Sequence, residues 1–310
     1  MRTTCVRDDS LTMLTRSTDV VELLDTPAGL RRWSVGCHAA GKTVGMVPTM
    51  GALHAGHRGL IDRAVAENDR VVVTIFVNPA QFGPTEDFAR YPRSLDADLA
   101  VVKSAGVHAV FVPTVDAMYP PGQVTKVHVD GQLGSGLEGA SRPGHLDGVA
   151  LVVSKLLVAG LPDRAYFGQK DAQQSAVVRH LARDLDTGVE IVVCPTVRDP
   201  DGLAISSRNV YLSQEDRARA RAIPKSLGDA LGRFDRGEHD AATLKSAVRA
   251  SLDTAGLDVD YVAVVEPNDF TEVETAVPTN QIVLAARIGG TRLIDVVRLG
   301  VDTAPVGRGV

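Results

Sequence analysis

The sequence predicts an α/β protein with two domains, an open parallel sheet followed by a smaller α+β domain. Three observations support this fold class. The chain has 310 residues, which is long for one core and sufficient for two. Short apolar runs alternate with helical segments as far as about residue 195, a pattern typical of parallel strands joined by helices. Beyond that point helices come first and a run of strands follows, so we predict domains at 21–196 and 197–310.

The strands predicted for the first domain are short apolar runs, most of them ended by Pro, Asn or Gly. They lie at 44–47, 71–77, 108–112, 164–167 and 189–193. The run at 71–77 is a continuous stretch rich in β-branched residues, as expected of a strand that is buried on both faces. Helices are predicted at 19–40, 57–67, 94–105, in a segment that ends near 159, and at 171–185. Alternating polarity at 124–129 predicts a further, peripheral or antiparallel strand.

In the second domain, Ser213 followed by Glu215 and Asp216 resembles a capping box that opens a helix rich in Arg and Ala. A second helix is predicted at 241–255, and strands at 261–265, 282–288 and 293–297. Helices followed by strands favour a compact α+β unit.

The composition is that of an ordinary soluble globular protein, with 44% hydrophobic residues, 23% charged residues and a net charge of −5. The acidic balance argues against nucleic acid as a partner, and no segment is apolar and long enough to predict a membrane span. Cys5, Cys37 and Cys194 form no C-x-x-C pair, which favours a reduced, cytoplasmic setting. Residues 1–20 lack the apolar run of a signal peptide and are interpreted as a leader, a candidate for disorder, with Met13 an alternative start.

One motif is misleading. Residues 36–43 match the phosphate-binding pattern G-x4-G-K-[ST], which requires a strand before it and a helix after it. Here the predicted order is reversed. We therefore interpret Gly41 as the left-handed residue that ends a helix.

The motif that carries most of the chemistry is P-T-M-G-A-L-H-A-G-H at 48–57. It joins a predicted strand to a predicted helix, at the sheet edge where open α/β folds bind ligands. His54 and His57 lie at the helix N-terminus, where both imidazoles and the helix dipole can face one phosphate chain. The alternative is a pair of surface or metal-binding histidines, although no third ligand lies nearby in sequence. In this context H-x-G-H resembles the nucleotidyltransferase superfamily, which includes class I aminoacyl-tRNA synthetases.

Two further segments suit phosphate. Ser206, Ser207 and Arg208 place two hydroxyls before a guanidinium, a group that binds phosphate oxygens in pairs; the alternative is a polar linker between domains. In F-G-Q-K-D-A-Q-Q at 167–174, Lys170 offers a charge to phosphate and Asp171 an acceptor to ribose, unless this is simply a capped helix start.

Two segments follow the run at 71–77. Gln81, in N-P-A-Q-F-G, is placed to bind a small polar substrate. The carboxylates of Asp96 and Asp98 are suited to Mg²⁺ held together with a triphosphate, and for the metal we prefer Asp98. The alternative is that Ser94 and Asp96 simply cap a helix.

Six blocks in this order resemble the pantothenate synthetase family: P-T-M-G-A-L-H-A-G-H, F-V-N-P-A-Q-F, Y-P-R-S-L-D-A-D, L-E-G-A-S-R-P-G-H, F-G-Q-K-D-A-Q-Q and I-S-S-R-N. The resemblance covers about residues 40–300. It implies ATP-dependent condensation of (R)-pantoate with β-alanine through a pantoyl-adenylate, releasing AMP and pyrophosphate. It also implies a Rossmann-like first domain, a C-terminal lid domain, Mg²⁺ and a homodimer.

Matched residue by residue, the resemblance implies that pantoate is bound by Gln81 and Gln174, that Gln81 also faces β-alanine, and that His57 is a proton donor. The residues that it implies for ATP are Met50, Gly51, Ala52, Leu53, His54, Ala55, Gly56, His57, Gly168, Gln169, Lys170, Asp171, Val197, Ile205, Ser206, Ser207 and Arg208. Three positions depart from the family's usual residues: Ile205, Leu146 and Ala97. The last leaves the identity of the metal ligand open.

Other functions remain as alternatives. Another H-x-G-H nucleotidyltransferase would keep the nucleotide in its product and need no amine. A P-loop kinase would depend on Lys42 and release ADP. A non-catalytic nucleotide-binding module would bind ATP without turnover.

Overall fold

The computed structural model describes residues 21–84 and 86–305. The first part of the chain forms a six-stranded sheet with the order β1-β4-β3-β2-β5-β6, in which every pairing is parallel. Its strands are β1 (Glu22–Leu24), β2 (Val44–Thr49), β3 (Arg70–Ile75), β4 (Ala109–Phe111), β5 (Arg164–Gly168) and β6 (Glu190–Cys194). This confirms the predicted parallel α/β architecture.

Helices fill the connections between these strands. They are α1 (Pro27–Ala39), α2 (Ala55–Glu67), α3 (Leu95–Ser104), the short helices α4 (Val115–Met118), α5 (Gly131–Ser135) and α6 (Glu138–Ser141), and then α7 (His145–Gly160) and α8 (Ala172–Asp184). Because the long helices cover both faces of the sheet, its central strands are buried except for the partly buried Pro48 and Arg70. Within β3, Val72 packs into the apolar cluster that contains α7, whereas Val71 and Val73 pack into the one that contains α2.

The second part of the chain is smaller and has an antiparallel sheet of order β7-β8-β9. Its elements are α9 (Gln214–Ala220), α10 (Ala222–Asp235), α11 (Ala241–Thr254), β7 (Asp258–Val265), β8 (Gln281–Ile288) and β9 (Thr291–Arg298). Along β8, Ile282 and Leu284 pack in a core with α10 and α11, whereas Val283 joins the apolar cluster of the first sheet. The small sheet therefore packs on its own helices with one face and on the larger unit with the other.

Two predicted elements are wrong. The helix expected at 19–40 is a strand followed by a helix, within the residues described from 21 onward, because Pro27 and the capping residue Thr26 set the helix start and β1 pairs with β4. The segment at 124–129, expected to be a strand, has no regular secondary structure and pairs with no other strand among the described residues, and Val124 is 89% exposed. Alternating polarity is not sufficient for a strand when no neighbouring strand pairs with it.

Other local expectations are confirmed. Gly41 has φ +69° just after α1 and before β2, so the segment at 36–43 is a helix end and not a phosphate loop. Ser213 accepts a hydrogen bond from the backbone N–H of Asp216 at the start of α9. The predicted leader at 1–20 lies outside the described residues. None of the described helices combines the length and apolar character needed to cross a membrane.

Candidate active site

A cavity lies at the carboxyl edge of the parallel sheet. The segments that follow β2, β3, β5 and β6 all line it, together with residues 205–208. Open α/β sheets bind ligands at this edge, because the loops that follow parallel strands all lie at the carboxyl ends of the strands.

Most of the residues predicted for the site meet in this cavity, although the motifs that carry them are far apart in sequence. The cavity is lined by Met50, His54, Gly56, His57, Gln81, Gly168, Lys170, Asp171, Gln174, Val197, Ile205, Ser206, Ser207 and Arg208. The paired imidazoles and the Ser-Ser-Arg segment therefore face one space.

The two histidines form the N-terminal cap of α2. The Nδ1 atom of His54 accepts the backbone N–H of Gly56 at 3.2 Å, and the Nδ1 atom of His57 accepts the backbone N–H of His54 at 3.3 Å. The two rings stack with their centroids 4.0 Å apart. Because Nδ1 is an acceptor in each ring, the proton of each neutral imidazole is on Nε2.

Both imidazoles are neutral at physiological pH. Burial lowers the pKa of His54 to about 4, and the nearby charge of Lys170 contributes to this shift. Burial also holds the pKa of His57 well below its ordinary value, with contributions from His54 and Lys170. Among the described residues Nε2 of neither ring has a hydrogen-bond partner, so each ring has one N–H to offer a bound anion.

The turn between β2 and α2 is held by Asp98. The Oδ2 atom of Asp98 accepts the backbone N–H of Ala52 at 3.0 Å, and Oδ1 accepts that of Leu53 at 2.7 Å. Gly51 has φ +81°, and a Cβ there would lie 2.9 Å from Asp98 Oδ2. Glycine is required at position 51 both for its conformation and for the close approach of the carboxylate.

Asp98, predicted as the metal ligand, is therefore engaged elsewhere. It is 3% exposed, does not line the cavity and directs both oxygens at backbone N–H groups. Within residues 21–84 and 86–305, no group of three His, Cys, Asp or Glu side chains is arranged to hold a metal. The two oxygens of Asp98 are therefore occupied by the backbone of the turn and do not face the cavity.

Some residues predicted to contact ATP support the site instead of lining the cavity. Gly51, Ala52, Leu53 and Ala55 form the turn and the first helical residue beside the two histidines. Gln169 is 5% exposed and its amide donates to Asp302 at 2.6 Å, which ties the loop after β5 to the second part of the chain.

The Ser-Ser-Arg segment is held by contacts with the loop between β3 and α3. Arg208 donates two hydrogen bonds to Asp87, both of 2.9 Å, and its guanidinium lies 5.8 Å from the ring centroid of Tyr91. The hydroxyls of Tyr91 and Ser207 are 3.2 Å apart. Burial raises the pKa of Asp87, but the hydrogen bonds and the charge of Arg208 lower it by more. The net pKa is below its ordinary value, so the two side chains form an ion pair. Lys170 connects the loop after β5 to the Ser-Ser-Arg segment, since its Nζ donates to the carbonyl of Ile205 at 3.3 Å.

The cavity lining also includes apolar side chains, here called the apolar wall, and neutral amides. The apolar wall consists of Phe76, Val149, Val153 and Leu156, and the amides are those of Gln81 and Gln174. Sequence reasoning did not assign a role to Asn78, Tyr91 or this apolar wall. Phe76, Asn78 and Tyr91 lie within the blocks that carried the family resemblance, so a signal for them was present. The other wall residues, Val149, Val153 and Leu156, could be recognised from the sequence only as apolar positions of a helix.

Comparison with known proteins identifies the family of this chain. Residues 22–298 match the family model described as pantoate-beta-alanine ligase. The chain belongs to the pantoate–β-alanine ligase family. A pantothenate synthetase of Gluconobacter oxydans is 54% identical over 254 residues, covering 82% of this chain and 92% of the relative. One from Moorella thermoacetica is 46% identical over 284 residues, covering 91% of this chain and all of the relative.

Solved structures of the pantoate–β-alanine ligase family share the whole fold. The pantothenate synthetase of Thermus thermophilus superposes with a TM-score of 0.84 at 44% identity, covering 89% of this chain and 99% of that one. The ligase of Francisella tularensis, solved with a β,γ-ATP compound and β-alanine, superposes with a TM-score of 0.74 at 33% identity, covering 90% of this chain and 98% of that one. The parallel sheet with a small antiparallel C-terminal unit is therefore the architecture of this family.

Proposed function

We propose that this ligase joins (R)-pantoate to β-alanine in two steps at the cavity described above, through an enclosed pantoyl-adenylate. The observation that carries this proposal is that two neutral imidazoles, a lysine and the Ser-Ser-Arg segment face the same space as a wall of apolar side chains and neutral amides. The imidazoles, the lysine and the Ser-Ser-Arg segment suit a triphosphate, and the apolar side chains with the neutral amides suit a small branched hydroxy acid.

In the first step a carboxylate oxygen of pantoate attacks the α-phosphorus of ATP. The bond from that phosphorus to the oxygen bridging the β-phosphate breaks, and pyrophosphate leaves with the electron pair. A carboxylate is a weak nucleophile, so catalysis depends on alignment and on stabilising charge on the departing oxygens. The groups that we assign to this task are His54, His57, Lys170, Ser206, Ser207 and Arg208.

Pantoate is proposed to lie against the apolar wall, with its oxygens at Gln81 and Gln174. These amides orient the acid through hydrogen bonds without pairing its carboxylate with a full positive charge. A cation in that place would weaken the nucleophile, which explains why a neutral pair suits this reaction.

In the second step the uncharged amine of β-alanine attacks the acyl carbon of the adenylate. The amide bond forms, the bond from the acyl carbon to the phosphate oxygen breaks, AMP leaves and the amine loses a proton. An acyl-adenylate is a mixed anhydride that water hydrolyses, so the second domain is proposed to act as a lid that excludes water. We propose that Gln81 also faces β-alanine in this step.

Three expectations complete the proposal. Because both oxygens of Asp98 accept backbone N–H groups, Mg²⁺ is proposed to enter as part of the ATP substrate, held by its phosphates. We also propose that the enzyme works as a homodimer in the cytoplasm.

Product analysis tests the proposed function. The purified protein is incubated with ATP and (R)-pantoate, with and without β-alanine, and the nucleotide products are separated. We expect AMP and pyrophosphate in stoichiometric amounts with pantothenate only when all three substrates are present. Release of ADP, or a product that retains the nucleotide and needs no amine, would contradict the proposal.

A further inference from the structure

The amide of Asn78 is oriented by two backbone groups whose roles are unambiguous. The backbone N–H of Ala80 donates to Oδ1 of Asn78 at 3.1 Å, and Nδ2 of Asn78 donates to the carbonyl of Gly148 at 3.1 Å. An N–H group can only donate and a carbonyl can only accept, so the positions of nitrogen and oxygen in this amide follow from its neighbours.

The orientation of Asn78 determines that of Gln81. The same Nδ2 of Asn78 donates to Oε1 of Gln81 at 3.0 Å. The carbonyl of Gln81 therefore faces Asn78, and its NH₂ group is the end that is left for a ligand. Gln81 is 8% exposed, both residues line the cavity, and Nε2 of Gln81 has no hydrogen-bond partner in the part of the chain that the structure describes.

Tyr119 supports the same orientation of the Asn78 amide. Its hydroxyl donates to Oδ1 of Asn78 at 2.7 Å. Burial raises the pKa of Tyr119, so the hydroxyl keeps its proton and remains a donor at every physiological pH. A donor at this point again requires that the oxygen of Asn78 face Tyr119 and that its nitrogen face Gln81.

The main chain of Gln81 is held as firmly as its side chain. The ring of His145 lies with Nδ1 2.8 Å from the carbonyl oxygen of Gln81, and Nε2 of the same ring is 2.9 Å from Nη1 of Arg142. Because the guanidinium can only donate, Nε2 accepts and Nδ1 carries the proton toward Gln81. Gly148 allows α7 to approach this segment, since a Cβ there would clash with the carbonyl oxygen of Ala80.

We propose that Asn78 is a positioning residue that fixes Gln81 as a hydrogen-bond donor, so that this corner of the cavity accepts a hydroxyl or carboxylate oxygen of the acid substrate. The inference rests on the proposed function. It explains how a neutral amide, which has an acceptor end and a donor end, discriminates between ligand groups. An acceptor oxygen is bound there, and an ammonium group, which can only donate, is disfavoured.

The variant Asn78→Asp tests the role of Asn78. A carboxylate accepts only, so it attracts the NH₂ group of Gln81 and turns the amide carbonyl into the cavity. The readout is pantoate-dependent exchange of labelled pyrophosphate into ATP. We expect the KM for pantoate to rise about tenfold or more, on the scale of one lost hydrogen bond and one repulsive contact, while the KM for ATP stays within about twofold.

A double-mutant cycle with Gln81→Ala separates positioning from a general structural defect. If Asn78 acts through Gln81, Asn78→Asp has little further effect on the KM for pantoate once Gln81 is truncated. Additive effects of the two substitutions overturn the proposal. If Asn78→Asp does not fold, as judged by its thermal unfolding, Tyr119→Phe decides, with an expected rise of about two- to fivefold in the same KM and none in that for ATP.

The two proposals fail in different ways. If the unmodified protein shows no pantoate-dependent exchange, the proposed function is contradicted. If it shows normal exchange and neither Asn78→Asp nor Tyr119→Phe changes the KM for pantoate, the positioning role alone is overturned.

Discussion

The imidazoles of His54 and His57 lie stacked with ring centroids 4.0 Å apart, and the Nδ1 atom of each accepts a backbone N–H at the start of α2. This arrangement leaves Nε2–H as the only donor of each neutral ring. In the proposed reaction the two rings therefore act as oriented hydrogen-bond donors to phosphate oxygens, and neither needs to be protonated further.

Removal of one of these donors should impair the chemical step. We expect His57→Ala to slow adenylate formation by about 10²-fold or more, the scale of losing a positioned acid or charge stabiliser. The measurement is the initial rate of pyrophosphate exchange. His38→Ala is the control, because His38 is an exposed residue paired with Asp163 away from the cavity, and it should leave the rate unchanged. Near-normal exchange in His57→Ala removes His57 from the mechanism.

We expect Asp98 to influence the KM for ATP indirectly, through the turn between β2 and α2 that it supports. Loss of its carboxylate in Asp98→Ala leaves the backbone N–H groups of Ala52 and Leu53 without their acceptor, at a cost of about 1–3 kcal/mol. We expect a lower free energy of unfolding and a higher KM for ATP. Asp96→Ala, on the exposed side of the same helix, is the control. Recovery of activity on raising Mg²⁺ would contradict this role and favour a metal ligand.

Acid should destabilise the fold through its buried histidines. Burial, with a contribution from Arg142, lowers the pKa of His145 to about 4, whereas the residue titrates at its ordinary value when unfolded. As the pH falls from about 6.5 to about 4, the unfolded chain takes up a proton that the folded chain refuses, so the free energy of unfolding decreases. His145→Gln keeps a donor and an acceptor without titrating, and should reduce this loss by an amount on the order of 3 kcal/mol.

Chemical denaturation between pH 7 and pH 4 measures this difference. His128→Gln is the control, because the hydrogen bond to Asp147 raises the pKa of this exposed histidine, and any stability that it contributes is lost as the pH rises. An equal acid sensitivity of His145→Gln and the unmodified protein contradicts the assignment.

Because α7 lies close to the segment of Gln81, adding one methyl group at Gly148 should lower the stability of the fold. In Gly148→Ala the new Cβ meets the carbonyl of Ala80, and the resulting overpacking should cost about 1–3 kcal/mol and raise the KM for pantoate. Gly36→Ala is a matched control within α1, because a Cβ there has nothing within 4 Å. It should gain up to about 1 kcal/mol from helix propensity. Equal thermal shifts for the two variants contradict the close approach.

The two parts of the chain are joined by a buried ion pair. Arg292 of β9 donates to Glu138 at 3.0 Å and to Asp260 at 2.6 Å, and Glu138 is 7% exposed. Arg292→Ala should lower the free energy of unfolding by about 3 kcal/mol, the lower end of the range for breaking a buried pair, because Glu138 keeps Arg142 at 3.7 Å and the hydroxyl of Tyr261 at 2.8 Å. The exposed pair of Lys245 and Glu272 provides the control, with an effect below about 1 kcal/mol for Lys245→Ala. Equal losses of unfolding free energy in Arg292→Ala and Lys245→Ala would contradict a stabilising role for the buried pair.

Much of the fold could be predicted because its signals are local. The continuous β-branched run at 71–77 identified β3, and the reversed order around Gly41 excluded a phosphate loop. The strand β1 was missed because three residues pair with β4 only in three dimensions. Residues 124–129 have a strand-like pattern, but pairing depends on a neighbour that the sequence does not specify.

The site was predictable where a motif supplied the chemistry and not where tertiary contacts assign the role. His57 and Arg208 line one cavity, as expected from the motifs that contain them. Asp98 was assigned to a metal because it is a carboxylate near a phosphate motif, yet its partners are backbone groups 45 and 46 positions away. Likewise, the orientation of Gln81 depends on Asn78, Tyr119 and Gly148, whose relationship appears only in the folded chain.

The central claim is that the cavity activates the acid as an adenylate before any amine is bound. The most direct test is exchange of labelled pyrophosphate into ATP by the unmodified protein, with (R)-pantoate present and β-alanine omitted. We predict rapid exchange that depends on pantoate and is abolished in the absence of the acid. If label enters ATP without pantoate, or only after β-alanine is added, the two-step account is contradicted.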